Sequence, residues 1–322
     1  MKVAIITEGY QGTGYGHLTR CLSIYQAFEE KGIQPLYIAN CDEEGNKFIP
    51  NVNLLQMNWT DKSEELIDTI TDSDIVVIDS YLAPIELYER IYKVVKKTVY
   101  IDDYLRLDYP PGVIVNGTIG AENLPYKKDN NHQFLLGIEY MPLRKEFWDI
   151  VINDKKIAEN KIENVLITFG GQDIKKLTEQ MIKFLNEHFS KYKIHSVIGN
   201  NRKLDIASFK NIKLYNNLTA AEMKNLMLKC DVAISSASQT VYELFKSHVY
   251  IIAIGVADNQ KNNINGLIRE GIINRAFWHD DIDLYDKIRN ELKNFNEYRN
   301  KINYTKEKFN GARKIIQNLL GE

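Results

Sequence analysis

A histidine at position 17 stands directly behind Gly12, Gly14 and Gly16, with Arg20 three residues further on. Glycines let a backbone approach a ligand closely, and a helix that starts after them offers unpaired amides to a polar or anionic group. Histidine titrates near neutrality, so an imidazole at such a place suits proton transfer. The spacing puts His17 at the helix start and Arg20 about one turn on, where both project near the concave side of the loop. A histidine can also serve merely as a packed neighbour of a helix cap. The setting favours chemistry, because the carboxyl end of a first strand is where open α/β sheets bind ligands. The glycine spacing departs from the dinucleotide fingerprint, whose third glycine sits five residues after the first, and no acidic residue clearly ends the second strand YIAN, so NAD binding is set aside.

Further residues fall at comparable places. Tyr81 follows the apolar run IVVIDS, and Asp102 and Asp103 end another strand, where a helix cap or a hydrogen-bond anchor is the expected role. In the second half, Gly170 and Gly171 follow VLITF and would let a pyrophosphate or a base approach the backbone. The segment Ser235-Ser236-Ala237-Ser238-Gln239-Thr240 is expected to begin a helix, bringing hydroxyls and free N–H groups to a place where a diphosphate can rest, with Glu243 one turn inside. Asn259 lies in a polar loop, where asparagine also serves turns.

The elements that must position these residues alternate. KVAIIT, PLYIAN, IVVIDS, TVYIDD and GVIVNG read as strands, with LTRCLSIYQAFEEKG and PIELYERIYKVVKK as amphipathic helices among them. Strands that are apolar almost throughout belong to a parallel sheet covered by helices on both faces. The polar stretch DIVINDKKIAENKIE marks a boundary, after which VLITFGG, IHSVIG, IKLYNN, DVAISS and VYIIAIG repeat the scheme. The expected fold is therefore α/β, two Rossmann-like doubly wound domains: residues 1–150 carrying the glycine-histidine loop and residues 160–304 as a nucleotide-binding domain, with a helix in 305–322 packing back on the first.

Composition excludes several classes. A chain of 322 residues with 44% hydrophobic and 26% charged residues is a core-forming globular protein. Its formal charge of −2 gives none of the basic excess that a nucleic acid requires. No uncharged apolar run approaches the roughly 18 residues of a membrane span, and the short apolar N-terminal run lacks the h-region of an export signal. Three cysteines, Cys21, Cys41 and Cys230, without metal-ligand spacing, point to a reducing, cytoplasmic setting, to buried small hydrophobes and to no metal site.

The string GYGHLTR at 14–20 resembles the GxGHxxR loop of the PseG-like hydrolases that remove UDP from UDP-2,4-diacetamido-2,4,6-trideoxy-β-L-altrose in pseudaminic acid biosynthesis. IDSY at 78–81, the pair Asp102 and Asp103, ITFGGQDIKKLT at 167–178, ISSASQTVYEL at 234–244 and ADNQ at 257–260 look like further landmarks of that family, in its order. A related serine-to-glutamate segment occurs in MurG-like glycosyltransferases, so the resemblance implies the glycosyltransferase-B fold. It also implies that His17 is the catalytic base, with Gly14, Gly16, Arg20, Tyr81, Asn259 and Gln260 at the sugar. Gly170, Gly171, Ser238, Gln239, Thr240 and Glu243 would hold the nucleotide, Glu243 through ribose hydroxyls. The chain reads Ser-Gln-Thr where the family often has Gly-Gly-Thr, a departure that bears on the substrate fit.

The reaction so implied is metal-independent and cofactor-free hydrolysis with inversion at the anomeric carbon, UDP-sugar and water being the partners. His17 takes the proton of an oriented water, while hydroxyls and a helix N-terminus receive the departing diphosphate. A glycosyltransferase on the same scaffold is the nearest alternative; the lack of a basic, apolar docking patch near the first domain favours the hydrolase. A non-catalytic nucleotide-sugar binding module would have no use for the whole GYGHLTR loop.

Overall fold

The computed structural model describes residues 1–12, 14–127, 129–152, 161–170, 173, 175–199, 209, 211–216, 218–304 and 310–322. The chain forms two compact units, Met1–Lys145 with Phe309–Glu322, and Glu146–Lys308.

The first unit holds seven parallel strands: β1 (Val3–Gly9), β2 (Leu36–Cys41), β3 (Leu54–Gln56), β4 (Ile75–Asp79), β5 (Thr98–Ile101), β6 (Gly112–Asn116) and β7 (His132–Leu136). Their order is β3-β2-β1-β4-β5-β6-β7. Helices α1 (Gly16–Glu29), α2 (Glu43–Asn46), α3 (Ser63–Ile70) and α4 (Ile85–Val94) lie in the connections. Every residue of β1 and β4 is buried, as continuous apolar strands covered on both faces must be. Ile6, Ile38, Trp59, Val76, Tyr88 and Tyr100 centre one core. Gly9 is required where it stands: a β-carbon there would lie 2.6 Å from Leu18 Cδ1, so only glycine lets α1 settle this close to the end of β1.

The second unit has six parallel strands, β8 (Asn164–Thr168), β9 (Lys193–Ile198), β10 (Ile212–Asn216), β11 (Val232–Ser236), β12 (Tyr250–Gly255) and β13 (Ala276–Trp278), in the order β10-β9-β8-β11-β12-β13. Its described helices are α5 (Leu177–His188), α6 (Ala220–Lys229), α7 (Thr240–Lys246), α8 (Lys261–Arg269), α9 (Leu284–Lys293) and α10 (Phe295–Arg299). Val165, Ile167, Met181, Leu185, Ile234 and Ile252 centre the core. Helix α6 starts at a capping box, the Thr219 hydroxyl accepting from the Glu222 amide while the Glu222 carboxylate accepts from the Thr219 amide.

The last helix, α11 (Gly311–Leu320), belongs to the first unit and packs on α1. It buries Ala312, Ile315, Ile316 and Leu319, and Arg313 donates to both carboxylate oxygens of Glu30 at 2.7 and 2.9 Å. A β-carbon on Gly311 would overlap the backbone of Met141.

Two local expectations are refined. Of the two readings of Ser235 and Ser236, end of the strand DVAISS or start of a helix, the strand holds: they close β11, buried in the sheet, and the helix starts only at Thr240. The second strand runs to Cys41, and an acidic residue, Asp42, follows it directly.

Candidate functional site

Strand order reverses between β1 and β4, and such a switch point leaves a crevice outside the carboxyl ends of the strands. The loop after β1 is shaped by positive φ at Gly12 and Gly14, 119° and 92°, and by the Gly14 amide donating to the Tyr10 carbonyl at 3.0 Å. Helix α1 then begins without a side-chain cap and carries His17 and Arg20 in its first turns.

Asp79, the last residue of β4, is completely buried between them. His17 Nδ1 donates to Asp79 Oδ1 at 2.6 Å. Arg20 grips the same carboxylate with Nε on Oδ2 at 2.5 Å and Nη2 on Oδ1 at 2.6 Å. It also reaches Asp103, with Nη1 on Oδ1 at 2.6 Å and Nη2 on Oδ2 at 3.0 Å. Tyr81 donates its phenol to Asp103 Oδ2 and meets the His17 ring edge-on, centroids 4.4 Å apart. One arginine thus binds two carboxylates, one of which orients the histidine and the other the tyrosine. With Nδ1–H fixed on Asp79, the imidazole lone pair is on Nε2.

Burial pulls the His17 pKa down, but the charge and hydrogen bond of Asp79 prevail over it and over Arg20, leaving it above the ordinary 6.5. Burial also acts against the Asp79 carboxylate, yet Arg20 and His17 hold it far below the usual range. Asp103 is likewise held low by Arg20 against burial. Burial and the charge of Asp103 push the Tyr81 phenol far up, so it is a neutral donor near pH 7.

Three other acids brace the loops. Asp42 accepts from the Gln11 amide at 2.8 Å, the Gly45 amide at 2.7 Å and the Tyr15 hydroxyl at 3.3 Å, tying the glycine loop to the turn after β2. It therefore stands where a ribose-binding acid would in a dinucleotide site, with its oxygens engaged by the protein. Asp102 accepts from the amides of Leu105 and Arg106 and from the hydroxyls of Tyr109 and Tyr126, an anchor for the loop after β5. Glu8 is 1% exposed, and its Oε1 accepts from the amides of Tyr81 at 2.6 Å and Leu82 at 3.2 Å.

The first unit thus gathers Gly14, Gly16, His17, Arg20 and Tyr81 in one place, and adds Asp79, Asp103 and Glu8. Asp79 lies in the same IDSY run as Tyr81 and has no role among the sequence expectations. The available signal was an acid closing an otherwise apolar buried strand, true of Asp79 in IVVID and of Glu8 in VAIITE alike.

In the second unit the corresponding reversal lies between β8 and β11. Gly170, φ 78°, leads away from β8 and is exposed; Gly171 lies outside the described residues. The Ser236 and Ser238 hydroxyls are 3.1 Å apart. Gln239 and Thr240 are half-buried at the start of α7, whose seven residues offer few open donors, since the Val241 and Tyr242 amides already donate to the Ser238 and Gln239 carbonyls. Glu243 is 4% exposed, turned inward instead of lying on a solvated helix face. After β12, Asn259 is exposed, whereas Gln260 accepts from the Val256 amide at 2.9 Å and so holds its own loop. Among the described residues, no three His, Cys, Asp or Glu side chains gather as metal ligands, and no helix is long and apolar enough to cross a membrane. All three cysteines are buried.

No family model matches the chain. It is 27% identical over 265 residues, 81% of its length, to the pseudaminic acid cytidylyltransferase and UDP-2,4-diacetamido-2,4,6-trideoxy-beta-L-altropyranose hydrolase of Helicobacter pylori, covering 45% of that protein. It is 27% identical over 260 residues, 76% of its length, to an uncharacterized protein of Methanocaldococcus jannaschii, covering 53% of it. The chain thus spans about half the length of the curated relatives it matches. Among solved structures it superposes on MurG of Acinetobacter baumannii with a TM-score of 0.67 at 14% identity, each chain covered in full. The Staphylococcus aureus MnaA–UDP structure gives 0.70 at 12% identity, with 99% of this chain and 97% of that one covered. The fold is that of the two-domain glycosyltransferase-B enzymes, and the name of the Helicobacter pylori relative includes the hydrolase activity of the family that the sequence resembles.

Proposed function

We propose that this chain is a nucleotide-sugar hydrolase that releases UDP from a UDP-2,4-diacetamido-2,4,6-trideoxyhexose of the altrose form, with inversion at the anomeric carbon. The observation that carries this reading is the His17–Asp79 pair at the switch point of the first unit. A base must present a lone pair to water, and a buried carboxylate on Nδ1 fixes the tautomer that leaves Nε2 to do so. When His17 takes the proton of water, Asp79 offsets the charge of the imidazolium, and Arg20 keeps Asp79 ionised throughout. Tyr81, a neutral phenol beside the imidazole with its hydrogen on Asp103, keeps its oxygen lone pairs to accept from a sugar hydroxyl.

In the second unit, the Ser236 and Ser238 hydroxyls and the loop at Gly170 supply donors and room for the diphosphate, with Gln239, Thr240 and Glu243 behind them and Asn259 on the neighbouring loop. The protein's place is then the cytoplasm, where nucleotide-sugars are made, in pseudaminic acid or related nonulosonate synthesis. The name of the Helicobacter pylori relative supports the substrate.

The test is UDP release from that sugar nucleotide in chelator, with no acceptor present, beside His17→Ala. Release by the native protein that falls about 10²- to 10⁴-fold in the variant is the expected result. UDP binding without release by either protein, or release only when an acceptor hydroxyl is added, would replace the hydrolase with a glycosyltransferase.

A further inference from the structure

Glu8 takes no direct part in the chemistry above, yet it is the one carboxyl in β1, shut away at 1% exposure beneath the loop that carries Tyr81. Its Oε1 collects two consecutive amides, those of Tyr81 and Leu82, at 2.6 and 3.2 Å. The Ser80 hydroxyl accepts from the Leu82 and Ala83 amides at 2.9 and 2.8 Å, so a side chain from β1 and one from the loop itself pin the same turn. Glu8 Oε2 makes no hydrogen bond of its own. A buried carboxyl that uses one oxygen on main-chain donors and leaves the other idle acts as an acceptor at a fixed reach, and its charge adds little.

What that reach fixes is the tyrosine. The Tyr81 amide is held by Glu8, and from that peptide the side chain runs to a phenol on Asp103 and an edge-on contact with His17. Apart from Asp103, His17 and the Tyr104 ring 5.9 Å away, the Tyr81 side chain is open, 40% exposed, so the position of its backbone decides whether the phenol reaches Asp103. We propose that Glu8 is a positioning residue for the reaction: by accepting from the Tyr81 and Leu82 amides it aims the Tyr81 phenol at the point where it meets His17 and Asp103. The proposal rests on the hydrolase reading for its kinetic consequence and on the fold alone for its geometric one. Burial raises the Glu8 pKa, against the charge of His17 and the Tyr81 amide, which agrees with an acceptor whose charge is dispensable.

Two conservative variants separate reach from charge. Glu8→Gln keeps the length and a carbonyl acceptor while removing the charge; Glu8→Asp keeps the charge and shortens the reach by one methylene. In the UDP-release assay Glu8→Gln is expected within about threefold of the native kcat/KM, and Glu8→Asp about ten- to a hundredfold down, the cost of a displaced group near reacting atoms. In a Tyr81→Ala background the further effect of Glu8→Asp should shrink below about twofold, because the residue it positions is gone. An equal loss in both backgrounds, or a Glu8→Gln loss as large as that of Glu8→Asp, would overturn the proposal.

A readout without substrate keeps it separable from the hydrolase reading. The His17 ring resonances in the ligand-free protein feel the Tyr81 edge, so they should shift in Glu8→Asp and stay in Glu8→Gln. Unmoved His17 resonances in Glu8→Asp would refute the geometry even if the native protein releases no UDP, and the expected shift would sustain it in the same event.

Discussion

The two units use one topology and furnish its switch point in opposite ways. In the first, the crevice is lined by groups that are charged, buried and mutually bound: Asp79 under His17 and Arg20, Asp103 on Arg20 and Tyr81. In the second, the same place holds glycine and hydroxyls, with Ser236 and Ser238 as near neighbours. A site that must hold a base at one tautomer and offset the charge it gains on taking a proton needs counter-charges fixed in place. A site that must accept a group already carrying its own charge needs donors and room. The difference fits a division in which proton transfer belongs to the first unit and ligand charge to the second.

The largest expected break of this contrast is Asp79→Ala. It leaves Arg20 and His17 buried with only Asp103 as counter-charge, so the protein should lose about 3–5 kcal/mol in a denaturant titration, with UDP release abolished. A loss under about 1 kcal/mol would mean that the cluster is not the tightly bound unit described.

Next is pH, to which the two units should respond with opposite sign. His17 has a raised pKa, so the stability it lends is full below 6.5 and fades as pH rises through its folded value. His195, held neutral in β9 with Tyr215 and Asn164 on its two nitrogens, is lowered to about 4, by burial first and then by Lys229, Lys213 and Lys193. Its stability is full above 6.5 and fades as pH falls toward 4. Hydrogen exchange followed peptide by peptide from pH 8 to pH 5.5 should show protection rising around β1 and β4 and falling around β9. Below about pH 4 the first unit should lose ground too, since Asp79 and Asp103 have depressed pKa values and their contribution goes as they are protonated. Parallel responses in both units would remove the electrostatic contrast.

Smaller is Asp103→Asn. Arg20 retains Asp79, so stability should fall by about 1–2 kcal/mol, while the Tyr81 phenol loses its anionic acceptor and KM rises several-fold. Smallest is Ser238→Ala, expected to weaken UDP binding by about 1 kcal/mol in calorimetry and to leave the unfolding midpoint unchanged. An Asp103→Asn variant that affected UDP binding more than Ser238→Ala would invert the assignment of roles.

Much of this was legible in the residues. The strands buried on both faces announce themselves as apolar runs, and the parallel sheets and reversals follow from strands alternating with helices. The short strands β3, β7 and β13 did not, because they lie at sheet edges, where half-exposed patterns such as HQFLL lack the apolar continuity. His17, Arg20 and Tyr81 could be singled out by position. Asp103 stood out by position too, but which acids pair with which helix side chains did not, because Asp79 and Asp103 are 62 and 83 residues from His17 and Arg20, and sequence distance carries no sign of that pairing. The serine segment carried two signals: serines are good helix caps, but Ser235 and Ser236 also end the strand DVAISS, and the sheet claims them.

The return of α11 to the first unit bears on how the protein is made. Residues 1–145 leave the ribosome with the part of α1 that meets α11 uncovered, and its cover follows only after residues 146–308. At about 5–20 residues per second, the stretch from 146 to 308 delays that cover by on the order of ten to thirty seconds. During that interval the second unit can fold, while the first waits with one side of α1 exposed. A permuted gene that moves α11 ahead of β1 would close that window and raise the soluble yield at high expression.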